Sequence, residues 1–241
     1  MKKASSPKRA IYYDTETTGT RPGKDRVIEI AAFVPGEPGQ EKSFCTFTNP
    51  ECSIPAESSA ISGITDAMVA SAPLIRDALS SFLEFCGKDN VVLIAHNNDA
   101  FDRLFLDAEF QRAGLSMPVE WIFADSLKWS RKYRPDLPRH SLQSLREVYG
   151  ITANQAHRAL DDCMVLHQVC SRMFDDLSLE QVLNCLSQMQ KLVRMPFGKH
   201  AGKLLTEVPK DYFAWLKESG ALDKPGNALL RETLKTLGIL V

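Results

Sequence analysis

Five consecutive apolar residues, Val91 to Ala95, stand between two stretches of helical periodicity, one at 74 to 86 and one at about 99 to 112. A run with no polar residue at either parity suits a strand buried on both faces, and such a strand needs helices above and below it. The chain ahead of it supplies partners. Ala10 to Asp14, Val27 to Val34 and Ser43 to Phe47 are rich in β-branched and aromatic residues and are separated by the turns RPGK and PGEPG, which suggests a meander. Residues 121 to 124 look like a fifth strand. Residues 142 to 149 and 157 to 174 look helical, the latter with Ala159, Cys163, Leu166 and Cys170 on one stripe. The expected class is α/β, a mixed five-stranded sheet flanked by helices.

Composition narrows the function classes. The 241 residues are 44% hydrophobic and 24% charged, an ordinary globular balance that excludes collagen-like and disordered chains. Charge interrupts every apolar stretch well before the roughly 18 residues that a bilayer crossing needs, so no membrane partner is expected. The six cysteines contain no CxxC pair, which argues against metal or disulfide frameworks and for a reduced, cytoplasmic protein. The opening MKKASSPKRA passes into IYYDTETT without an apolar signal region and reads as a flexible lead-in over 1–9.

The formal net charge of -1 argues at first sight against nucleic acid, but the charge is unevenly placed. Residues 1 to 190 hold 20 Lys and Arg against 25 Asp and Glu, whereas residues 191 to 241 hold 9 against 5. The tail's surplus sits between Lys191 and Lys210, and a second basic run extends from Lys128 to His140. Such runs are commonly solvated loops, and two of them in an otherwise acidic protein also suit contact with phosphate. After Asp176 comes an amphipathic connector over 177–194, then a tail over 195–241 that is small for a self-sufficient core.

Three acidic strings carry chemistry. In IYYDTETTG an apolar strand ends in Asp14 and Glu16, two carboxylates that share a face because strand side chains alternate. Like charges side by side are costly unless a cation neutralises them, and oxygen-only ligation suits Mg²⁺ or Mn²⁺ rather than zinc. Taken alone, such a pair is as consistent with turn carboxylates. In AHNNDAFDRLFL, Asp102 lies at a helix start near the carboxyl end of the buried strand, where ligand sites collect, although a dipole-complementing carboxylate belongs there too. In HRALDDC, His157 precedes Asp161 by four residues and Asp162 by five, and a helix-start His is commonly a cap.

DTETTG at 14 to 19, HNNDAFD at 96 to 102 and HRALDD at 157 to 162, in that order, resemble the three motifs of the DnaQ-like DEDDh 3′-5′ exonuclease family. The resemblance covers about 10–176, with echoes in VIEIAAF, AISGITDAMV, ADSLKWSR and HSLQSL; FGKHAGKLL and DYFAWL in the tail are similar to exodeoxyribonuclease X-like proteins. It implies an RNase H-like fold over 10–176 with a small C-terminal helical, basic appendage. It further implies that Asp14, Glu16, Asp102 and Asp162 hold two divalent cations, Mg²⁺ or Mn²⁺, and that His157 takes the proton from the attacking water. Thr15, Thr17, Glu57, Ser62, Ile64 and Asn97 are carried over as substrate contacts.

Three departures stand out. Three residues rather than two separate Asn97 from Phe101, so the chain absorbs a bulge or Asp99 takes the metal role; the Phe-Asp pair and the helix stripe favour Asp102. Asp162, not Asp161, has the family spacing from His157. Ser62 stands where many relatives have His.

The expected activity is release of nucleoside 5′-monophosphates from the 3′ ends of DNA, single-stranded ends favoured, in DNA repair or proofreading beside a DNA polymerase or repair partner. DNA is preferred to RNA only through the tail's resemblance. Lys199, His200 and Lys203 are expected to contact phosphates, with burial of Tyr212, Phe213, Trp215 and Leu216 as the competing account of the tail. Other readings are an exoribonuclease, a weakly active polymerase-associated nucleic-acid-binding subunit, and a phosphatase using DTETT as its nucleophile loop. The last leaves the other two motifs without a role.

Overall fold

The structure is a computed structural model that describes residues 8–152, 158–189, 192–224 and 227–240. Three strands, β1 (Arg9–Thr17), β2 (Val27–Val34) and β3 (Lys42–Phe47), form the expected antiparallel meander. After α1 (Ala56–Ser62), α2 (Asp66–Val69) and α3 (Ile75–Cys86), strand β4 (Val91–Ala95) joins β1 in parallel. After α4 (Asp102–Arg112), β5 (Ile122–Asp125) joins β4 in parallel, giving the order β3-β2-β1-β4-β5. Helices α5 (Ser126–Tyr133), α6 (Leu142–Val148), α7 (Ala159–Phe174), α8 (Leu179–Met189), α9 (Lys210–Glu218) and α10 (Ala228–Thr236) follow. Among the described residues no helix is long and apolar enough to cross a membrane. All six cysteines are free.

Side-chain parity on β1 divides the core into two layers. Ile11 and Tyr13 pack with Ile30, Ala32 and Leu93 against Leu79 and Phe82 of α3 and Phe105 and Phe110 of α4. The alternate residues Tyr12, Asp14 and Glu16 share the other face, on which α7 lies: the rings of Tyr12 and Phe33 stand 5.0 and 5.4 Å from His167 of that helix. Burying the β1 and β2 core side chains at about 25 cal/mol per Å² of apolar surface is what holds both helix layers to the sheet.

Four expectations are corrected. β1 starts at Arg9, inside the expected lead-in, and runs on to Thr17, because Asp14, Thr15 and Glu16 pair across to Ala31, Ile30 and Glu29. The helix expected from about 99 is two pieces: Asn97 takes a left-handed backbone (φ 71°), Asn98–Ala100 make one 3-10 turn, and α4 begins at Asp102. The extra residue is thus absorbed in a tight turn. The basic run, for which a solvated loop was one of two readings, is helix in its first half, Lys128 to Tyr133 lying in α5, because Asp125 caps it by accepting the N–H groups of Leu127 (2.9 Å) and Lys128 (3.3 Å). The helix expected from 157 begins at Ala159, and His157 lies outside the described residues.

The chain divides into two compact units, one through Val182 and one from Leu183 onward. The division falls within α8, inside the expected connector. The second unit has its own core, in which Met195, Leu205, Val208, Phe213, Leu216, Leu222, Leu230 and Leu234 are buried together.

Asn98 secures the turn that presents α4. It is fully buried, donates from Nδ2 to the carbonyls of Ala124 (3.0 Å) and Leu93 (3.4 Å), and accepts from the Tyr13 hydroxyl. An Asn98→Leu substitution strands all three groups, so urea denaturation should show a loss of about 2–4 kcal/mol. A change under about 0.5 kcal/mol would mean that the turn does not depend on them.

Candidate metal centre

Strand β1 delivers Asp14 and Glu16 to the face that α7 covers, and Asp162 in the first turn of α7 comes down on them. One carboxylate oxygen from each of the three lies within 4.8 Å of the others, and all three side chains are half-buried. Only oxygen is offered, and three carboxylates at this separation repel unless a cation lies between them; the donor set fits a hard divalent ion.

The electrostatics record that crowding. Burial, then the charges of Asp102 and Glu16, raises the Asp14 carboxyl well above its ordinary value. Burial, then Asp162 and Glu29, pushes Glu16 up to about 8. Asp102 is pushed up to about 7 by burial, against the hydrogen bonds that favour its charged form.

Asp102 itself is not one of the three close carboxylates. Beyond Tyr12, the last residue of β1 paired with β4, the edge of β1 is open, and Asp102 fills it: its Oδ1 accepts from the Thr15 N–H (3.1 Å) and the Thr15 hydroxyl (2.9 Å). Asp99 is engaged elsewhere, in an ion pair with Lys128. Asp161, though adjacent to Asp162, is outside the group as well.

The start of α7 is fixed by a residue with no role in the expectations above. Glu29, directly across from Glu16 on β2, is only 1% exposed. Its two oxygens accept the first N–H of α7, at Ala159 (3.2 Å), and the Arg158 guanidinium (3.2 Å). A carboxylate here satisfies an otherwise orphaned helix N–H and sets the phase in which Asp162 faces β1. The signal was in the sequence: an acid at the third position of VIEIAAFV, otherwise wholly apolar, demands a buried partner. Asp125 is a second such residue, bracing the β4–α4 turn through the N–H groups of Asn97 and Asp99, both at 3.2 Å.

The three carboxylates open into a cleft of about 310 Å³ that Gln143 and Arg146 of α6 also line. Arg146 Nε donates to Gln143 Oε1 (3.1 Å). His96, which also lines the cleft, is held by Ser126 Oγ (2.9 Å) and the His140 carbonyl (2.8 Å), and burial lowers its pKa. Thr15 lines the same cleft.

The remaining candidates are dispersed. The Thr17 hydroxyl bonds the Gly19 carbonyl at 2.5 Å, Glu57 is exposed in the first turn of α1, and the Ser62 hydroxyl donates to the Ser58 carbonyl at 3.0 Å. Ile64 is fully buried against Ile28, Ile54 and Val69, leaving no side-chain surface for a substrate. Asn97 is half-buried at the turn before α4. Lys199, His200 and Lys203 belong to the second unit.

A sequence profile of the family described as exonuclease matches residues 11–170, and one whose description proposes a quorum-sensing-regulated virulence factor matches 184–233. The DNA polymerase III subunit epsilon of Treponema pallidum is 36% identical over 164 residues, covering 67% of this chain and 73% of that protein. The DNA polymerase III PolC-type of Caldanaerobacter subterraneus is 34% identical over 69% of this chain, which spans only 12% of the length of that protein. Among solved structures, exonuclease X in complex with 5′ overhanging duplex DNA superposes with a TM-score of 0.55 at 26% identity, over 73% of this chain and 98% of that one.

Two predictions follow from the geometry. Glu16 ordinarily titrates near 4.5 and in the folded, metal-free protein at about 8, so folding takes up a proton between these values and stability falls as pH rises through that window. The metal-free protein should therefore melt lower at pH 8 than at pH 6, Mn²⁺ should raise the melting temperature more at pH 8, and Glu16→Gln should lessen both trends, with Asp14 and Asp102, also raised, supplying the rest. Trends unchanged by Glu16→Gln would show that Glu16 is not a ligand. Replacing Glu29 by Ala should weaken Mn²⁺ binding at least about tenfold in calorimetry, through loss of the anchor that phases Asp162; unchanged affinity would assign Glu29 to packing alone.

Proposed function

Since the chain belongs to the exonuclease family, in its DnaQ-like DEDDh group, we propose that it hydrolyses the terminal phosphodiester of nucleic acid from the 3′ end, with DNA favoured and single-stranded ends preferred, releasing nucleoside 5′-monophosphates. The observation that carries this reading is the convergence of Asp14, Glu16 and Asp162 within 4.8 Å at the foot of an open cleft.

In this reading Asp14, Glu16 and Asp162, with Asp102, hold two divalent cations, Mg²⁺ or Mn²⁺. Bound there, the cations would lower the pKa of the attacking water and offset the negative charge that develops on the leaving 3′ oxygen. The chain's own groups do the rest. Thr15 holds Asp102 in place through two hydrogen bonds. Arg146, which lines the same cleft, meets the phosphate that enters it. His157, five residues before Asp162, takes the water's proton, an imidazole being the side chain whose unperturbed pKa lies nearest neutrality. Thr17, Glu57, Ser62 and Asn97 border the path of the terminal nucleotide.

The two polymerase III relatives support a place beside a DNA polymerase, in proofreading, or in repair of DNA ends. The test is digestion of a 5′-labelled oligonucleotide with Mg²⁺ and with EDTA. Ladder formation from the 3′ end should occur only with metal, and Asp14→Ala and His157→Ala should each slow it by at least about a hundredfold while leaving the melting temperature of the metal-free protein within a few degrees. In parallel reactions single-stranded DNA should be cut faster than duplex DNA and faster than RNA. Release of 5′-terminal nucleotides, or full activity in Asp14→Ala, would overturn the reading.

A further inference from the structure

The second unit buries a core of large apolar side chains but leaves its one tryptophan outside it. Trp215, on α9, is 55% exposed, while its helix neighbours Phe213 and Leu216 are each only 1% exposed. It is nevertheless held in a definite orientation. Its ring stacks on that of Tyr212 at 22° and 5.6 Å, and Tyr212 in turn is packed edge-on by His200 at 4.7 Å. The loop that brings His200 there depends on Gly198. That residue has a left-handed backbone (φ 74°), and any Cβ on it would collide with the Tyr212 hydroxyl. Lys199, next in the loop, places its ammonium 5.2 Å from the centre of the Tyr212 ring.

Together these residues line a cavity of about 670 Å³, within the range of small-ligand sites. It combines a rigid aromatic platform, a cation at its rim, and a His200 Nδ1 that is buried with no hydrogen-bond partner among the described residues. Asp211, in the first turn of α9, also lines the cavity, so one acid stands there beside the cation. The stretch from 191 to 241 carries nine Lys and Arg against five Asp and Glu, which favours a polyanion over a cationic or neutral chain.

We propose that this cavity is a second nucleic-acid site, separate in the chain from the carboxylate centre, in which Trp215 stacks one base of a single strand and Lys199 meets the adjoining phosphate. A flat exposed ring beside a cation is the combination that single strands use without sequence preference, since every base has a π-face. Trp215 is the platform, Tyr212 its backing and Gly198 the residue that lets the loop close on it. The choice of nucleic acid as occupant rests on the nuclease reading of the first unit; the ring geometry does not.

The full chain carrying Asp14→Asn, mixed with a labelled oligodeoxythymidylate in EDTA, reads the site without hydrolysis. Trp121 and Trp129 are buried, so quenching of tryptophan emission reports on Trp215. Binding should quench emission, Trp215→Ala should weaken it about tenfold and abolish the quench, and Trp215→Phe should restore affinity to within about threefold. Lys199→Ala should reduce the slope of log affinity against log salt by about 0.7. No binding by the parent chain, or equal affinity and quenching with Trp215→Ala, overturns the proposal. Metal-dependent digestion by the wild-type chain is scored separately, so loss of this site and loss of the nuclease reading give different results.

Discussion

Asp14, Glu16 and Asp162 can occupy one half-buried spot only because the sheet and α7 force them there against their own repulsion. Everything that holds α7 on β1 and β2 therefore works against electrostatics at this point. The opposing attractions are specific: the rings of Tyr12 and Phe33 on His167, the buried stripe of α7, and Glu29 locking the helix's first N–H and its preceding arginine. A fold that spends packing energy to assemble like charges is storing a demand for a cation, which is the usual sign of function rather than of stability.

The layered sheet explains why Asp102 stands apart from the three close carboxylates. Asp14 and Glu16 face α7, whereas Thr15 belongs to the α4 side, and Asp102 reaches Thr15 only where β4 has ended and the edge of β1 lies open. The 3-10 turn with Asn98 at its heart sets that reach. An insertion that would have misaligned a longer helix is taken up before α4 starts, so Asp102 keeps its place and Asp99 turns away to Lys128.

How much of this was legible in the sequence depended on whether a residue's behaviour is decided locally. Val91 to Ala95 gave its strand to the residue because an unbroken apolar run admits few alternatives, and Val27 to Val34 did so with Glu29 as its single interruption. The continuation of β1 past Asp14 was legible only through the parity of Asp14 and Glu16, since carboxylates disfavour a strand until a cross-strand partner compels it. Helix α5 hid within a basic run because its cap, Asp125, and its buried Trp129 matter only once the sheet is formed. Of the site, the acids were legible from motif and parity. Glu29 and Arg146 were not assigned, and Trp215 was read only as a buried packing residue, because what each meets depends on a distant element or on the folded helix.

The central claim is that the three convergent carboxylates are a divalent-cation centre, and a crystal soaked in Mn²⁺ and measured at the manganese absorption edge tests it most directly. The account predicts an anomalous peak bounded by oxygens of Asp14, Glu16 and Asp162. Manganese bound only at other carboxylates, with these three still in mutual contact and none between them, would contradict it.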